Sequence, residues 1–208
     1  MAREEQAFRK AVRLMPKPVP WEWAAPRLIP VIAGPIFDPP GEPLVRVRSE
    51  LGPMVEIGLD LGAALTFVDA RVAERWECSA IQLMERALGN LGERAARIEA
   101  LRVQTGVMSG REIRLLRDQP RWAASLLLAP DELFRLFGKH DQVLAAPAAD
   151  CLVGFPIDAP PLTVADIVVD FEQASSRPLF LDPFLVVEGE LRWPEIGYSD
   201  DDVDDWPS

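Results

Sequence analysis

The sequence predicts an α+β fold: a mostly antiparallel sheet carrying three or four helices, preceded by an N-terminal helix and a Pro/Trp-rich arm. Three observations predict it. Apolar residues make up 49% and charged residues 26% of 208, so the chain has the composition to bury a sizeable core. Apolar runs of strand length come in neighbouring pairs separated by short turns, the pattern of antiparallel hairpins. Helical periodicity is confined to a few segments between those pairs. The expected layout is a helix and arm over 1–43, one α+β domain over 44–197 and an acidic tail over 198–208.

In the first segment Ala7, Phe8, Ala11, Val12 and Met15 recur at helical spacing, and Pro16 stops the helix. Between Pro16 and Pro43 lie nine of the twenty prolines, a density that predicts extended or polyproline-like chain and no regular helix. Trp21, Trp23, Leu28, Ile29, Val31 and Ile32 are too apolar for a solvated linker, so the arm is expected to lie across the domain.

The domain is expected to begin near Leu44. Met54–Leu59 and Ala64–Val68 read as paired strands, and Asp69 caps a short helix ending at Trp76. Ser79 opens a long helix with Gln82 in capping-box position. Its predicted core face is Ile81, Met84, Leu88, Leu91, Ala95 and Ile98, widened by Leu83 and Ala87; Gly89 and Gly92 are read as sites of close packing. A hairpin follows, Leu101–Met108 and Arg111–Arg117 about Ser109-Gly110. After Asp118-Gln119-Pro120, Trp122–Leu128 reads as a strand. Pro130 and Gly138 then bracket a short helix. Strands Gln142–Ala146 and Cys151–Phe155 flank a turn containing Pro147. A last helix starts at Thr163 with Val164, Ile167, Val168 and Phe171 as its stripe, and Phe184–Val187 forms the last strand before a Glu188-Gly189-Glu190 turn.

This order of elements resembles the YtpQ-like family of bacterial proteins. The resemblance rests on Trp76-Glu77-Cys78-Ser79, Ala87-Leu88-Gly89-Asn90-Leu91, Ala124-Ser125-Leu126-Leu127-Leu128, Val143 to Pro156 and Glu188-Gly189-Glu190-Leu191, and spans about Leu44 to Trp193. Departures are the arm, the tail, and Glu77 where a glycine commonly follows the tryptophan. The family carries no established reaction, so the resemblance implies a fold and transfers no catalytic residue; Asn90 is the polar helix residue it singles out.

Charge narrows the function classes. Lys and Arg number 22 against 33 Asp and Glu, a net −11, which argues against nucleic-acid binding and docking on anionic membranes. The N-terminus has no apolar leader segment and no stretch reaches membrane-spanning length, so a cytoplasmic location is expected. One histidine and two distant cysteines, Cys78 and Cys151, provide no zinc or redox framework, and no cofactor is expected. Phosphate-loop, dinucleotide-binding and nucleophile-elbow motifs are all missing. A thiolate at Cys151 activated by His140 and a nearby aspartate is the only catalytic arrangement to weigh, and a surface histidine with a buried thiol is the plainer reading.

The leading expectation is therefore a non-catalytic protein-interaction module, with an acidic inhibitor or immunity-type protein against a basic partner as its specific form. Its acidic tail, including Asp200, Asp201 and Asp202, carries five aspartates and leaves −6 on the rest. The alternative is a small-molecule-binding protein or hydrolase-type enzyme with a pocket under the arm. Trp21, Trp23 and Trp122 would form its aromatic wall, and His140 or the cysteines would supply chemistry.

Overall fold

Two antiparallel sheets organise the chain, as a computed structural model of residues 2–34, 43–48, 53–62, 64–108, 110–117, 121–175 and 177–193 shows. The fold is α+β, as the sequence predicts. The tail aspartates Asp200, Asp201 and Asp202, the turn at 118–120 and Ser109 of the predicted hairpin turn lie outside the described residues.

The first sheet is built around β3 (Met54–Asp60). β1 (Leu28–Ile32) covers one edge, with Leu28 opposite Leu59 and Ile32 opposite Val55. β2 (Arg46–Arg48) and β4 (Leu65–Phe67) share the other edge, facing residues 54–56 and 58–60. The second sheet runs β10 (Glu190–Arg192), β9 (Phe184–Val187), β7 (Gln142–Ala148), β8 (Cys151–Pro156), β6 (Arg111–Arg117), β5 (Gln104–Met108). At its end, β5 exposes Gln104, Thr105, Gly106 and Val107, and no other described strand pairs with its outer edge.

The helices are α1 (Ala2–Arg13), α2 (Trp21–Ala24), α3 (Ala70–Arg75), α4 (Ala80–Ala95), α5 (Pro130–Phe137) and α6 (Pro161–Ala174). α4 and β1 hold the two sheets together. Leu83, Met84 and Ala87 join Leu28, Val55, Ile57 and Trp76 in one core, whereas Leu91 and Ala95 join Ile29, Val31 and Ile32 in a second. That second core also receives Leu144, Leu152 and Phe184 from the larger sheet, Leu127 from a 3-10 helix at Ala123–Leu128 and Phe137 from α5. The opposite face of the larger sheet, bearing Ile113, Ala145, Val153 and Phe155, is covered by Val164, Ile167 and Val168 of α6. Successive strand residues face opposite ways, so Leu152 and Val153 serve different cores.

Local signals placed several ends correctly. The Asp69 carboxylate accepts the Val72 amide, and Ser79 and Gln82 form a reciprocal capping box. Gly138, with φ of 87°, ends α5.

Five expectations are corrected. The arm does contain regular structure: α2 and a 3-10 turn at Ala25–Arg27 lead into β1, so the first sheet begins before Leu44. β1 is an edge strand and therefore tolerates Pro30, which has no amide to donate. Residues 122–128 are not a strand, because Ala123–Leu128 is a 3-10 helix buried in the core. Pro147 lies inside β7 at an irregularity in its register, and the turn is Ala149-Asp150. The core face of α4 is rotated from the predicted one: Ile81 is exposed while Asn90 is buried, and a methyl group at Gly89 or Gly92 would meet nothing within 4 Å. α6 starts at Pro161 following Pro160, with no side-chain cap, so the Thr163 start is displaced.

Candidate functional site

An apolar opening lies where α6 fails to cover the sheet. The α6 core takes residues from β6, β7 and β8 and none from β9. Leu185 of β9, paired with Val143 of β7, therefore stays half exposed on the α6 side, while its neighbours Phe184 and Val186 point into the opposite core. The chain leaving α6 returns along this gap as Phe180-Leu181-Asp182-Pro183 before entering β9. A trough of about 590 Å³ results, floored by Val164, Val168 and Leu185 and rimmed by Ile157, Val169 and Phe180.

Two features set it apart from a simple packing gap. Ile157, Val169, Phe180 and Leu185 are between 43% and 60% exposed and surround one opening, which concentrates apolar surface where solvent reaches it. Phe180 has φ of 51°, a left-handed conformation that bulky residues rarely take and that costs about 1 kcal/mol or more. The loop holds Phe180 there with its backbone amide facing the Glu172 carboxylate. Glu172 is 9% exposed and lines the trough. Burial pushes its pKa above the ordinary value, and the Phe180 amide opposes that rise. Asp182 is the other charged residue among the described residues of the lining, and both are acidic.

A second opening of about 1040 Å³ lies between α1 and the arm. Lys10, Trp23, Arg27, Asp60 and Arg94 line it. Much of this polarity is structural. Asp60 accepts from the Gly62 amide, from Arg94 and from the Trp122 indole at 3.1 Å, while Arg94 also donates to the Pro26 carbonyl. Arg27 lies 4.2 Å from the centre of the Trp23 ring and donates to the Trp23 carbonyl.

The site residues predicted from sequence do not converge. Trp23 lines this second opening. Trp21 packs instead against Trp76 with ring centres 5.7 Å apart, and Trp122 is buried with its indole on Asp60. His140 is exposed just before Gln142, which pairs with Pro156; Cys151 is buried at the other end of β8. Five residues of strand separate those ends, about 17 Å, so the imidazole and thiol are at opposite ends of the hairpin. Among the described residues, no three His, Cys, Asp or Glu side chains gather to hold a metal, and no helix is long and apolar enough to cross a membrane.

Comparisons with family models, curated proteins and solved structures gave no match. The site is therefore read from its own geometry.

Sequence reading missed Glu172, although a signal was present. Val164, Val168 and Glu172 follow at four-residue intervals and share one helix face, so a carboxylate interrupts an apolar stripe. Phe180 gave no such signal, since nothing local to a phenylalanine between Leu179 and Leu181 foretells a left-handed backbone.

Proposed function

We propose that the protein is a non-catalytic interaction module that docks a basic partner protein over the trough between α6, β9 and the Phe180 loop. One observation carries the reading: four half-exposed apolar side chains surround a trough whose charged groups are both carboxylates. Exposed apolar clusters of this kind mark association surfaces, and acidic groups favour cationic partners over the chain's own acidic tail. The net charge of −11 would speed such an encounter and make it salt-dependent. A cytoplasmic location and a relationship to the YtpQ-like family belong to the same proposal and rest on the sequence alone.

The test replaces Leu185 with a photo-crosslinking phenylalanine in the full chain and irradiates cells expressing it. One partner should be captured in high yield, and Phe180→Asp should abolish capture while leaving the circular dichroism unchanged. A folded Phe180→Asp variant that still captures the same protein would sink the reading.

A second reading has its own observation. In a chain of net −11, the opening under the arm gathers Lys10, Arg27 and Arg94 against Asp60 alone, a balance suited to a small anionic ligand beside the Trp23 indole. Thermal shifts across a panel of anionic metabolites, lost on Lys10→Glu, would favour it; an unshifted melting curve throughout would remove it.

A further inference from the structure

The trough has more chemistry than an apolar groove requires, and its polar end defines what the occupant must supply. Glu172 is 9% exposed and lines the trough with Val164, Val168 and Val169, and the Phe180 backbone amide faces its carboxylate. Burial works against the Glu172 charge, and a cation reaching it would gain a charge-assisted hydrogen bond of the stronger kind. Among the described residues, no cationic side chain lines the trough to play that part.

From this arrangement we infer that the trough receives a lysine side chain of the partner, its methylenes against Val164, Val168 and Leu185 and its ammonium on Glu172. This deepens the docking reading above and rests on it. Three points favour lysine. The floor is aliphatic where a lysine stem would lie, matching the way such stems cover apolar surface and extend the charged head to a polar atom. The Phe180 backbone amide already faces the carboxylate, which favours the single-point donation of an ammonium; a guanidinium prefers both oxygens in parallel. Asp182 at the rim adds a second negative charge and none of the opposite sign opposes it. The same charges disfavour the chain's own tail, whose aspartates would meet Glu172 and Asp182 as like charges.

The experiment uses the full chain with labelled Ile, Leu and Val methyl groups, titrated with n-hexylammonium, 1-hexanol and hexanoate. The Val164, Val168 and Leu185 methyl signals should respond to the ammonium at roughly tenfold lower concentration than to the alcohol, with hexanoate weakest. Glu172→Gln should bring the ammonium within about twofold of the alcohol while leaving the alcohol's own titration unchanged, which also shows that the variant is folded. Asp182→Asn should reduce the preference less than Glu172→Gln does.

An alcohol or carboxylate that binds as well as the ammonium overturns the inference, as does a preference that survives Glu172→Gln. Silence of the three methyl groups towards all probes overturns it too. So does a change in those signals on deleting residues 198–208, because the trough would then be covered by the chain itself. The docking reading has a separate readout: capture through position 185 without an ammonium preference removes the lysine and keeps the partner.

Discussion

Asn90 commits its side-chain amide to the arm, donating to the Ala25 carbonyl at 2.8 Å and the Leu28 carbonyl at 2.9 Å from a position 5% exposed. Asn90→Leu keeps the volume and removes both bonds at a buried site. We expect a loss of about 2–4 kcal/mol, read from the midpoint of urea unfolding. An unchanged midpoint would show that the arm is held by packing alone. Glu172 makes a prediction of opposite sign. Its folded-state pKa is raised above 4.5, so the native state holds the proton more tightly than the unfolded chain does. The associated stability is fully present below 4.5 and is lost as pH rises through the folded value. Glu172→Gln should therefore melt higher than the parent at pH 7, and the gap should close as the pH falls through the window just above 4.5. Thermal melts of both proteins across that range test it; a gap that widens towards acid would reverse the assignment. Asn90 could be singled out from sequence but its partner could not, since the bonds reach across more than sixty residues.

At the scale of elements, signals that act within one turn were legible and signals that depend on neighbours were not. The Ser79–Gln82 capping box and the Asp69 cap are local hydrogen bonds written in adjacent residues. The rotation of α4 was hidden because both candidate faces carry aliphatic residues, and only the placement of β1 and β3 decides between Ile81 and Leu83. Residues 122–128 show the same limit. A short apolar run suits a strand and a buried helical turn equally, and here Trp122 and Ala124 bond to Asp60 and the Ala149 carbonyl instead of to a strand partner. The helix yields a direct prediction. With open space beside them, Gly89→Ala and Gly92→Ala should each stabilise the protein by about 0.5–1 kcal/mol, measured by chemical unfolding. Destabilisation by either would show that the glycine serves a contact absent from the described residues.

Across the whole molecule, the sequence revealed the class and most hairpins but misjudged where the fold begins. Every residue of β1 is buried, and β1 contributes Leu28 to one core and Ile29, Val31 and Ile32 to the other. Proline density concealed it, because Pro30 reads as a breaker until the strand is known to lie at an edge. The arm is thus structural, and removing residues 1–43 should yield a chain without cooperative unfolding; a sharp thermal transition in that truncated form would contradict this. Much of the candidate site was illegible for a related reason, since the trough exists only where α6 stops short of β9. The other end of the larger sheet raises a question of colloidal behaviour. β5 presents Gln104, Thr105, Gly106 and Val107 without a charge among them, the kind of edge that other sheets join. What keeps copies apart is then the repulsion between whole molecules, and it fades as the pH approaches the isoelectric point near 4.6. Light scattering should rise there with a β-rich signature, and Val107→Lys should delay it: the acidic surplus acts as a guard for an edge that has none of its own.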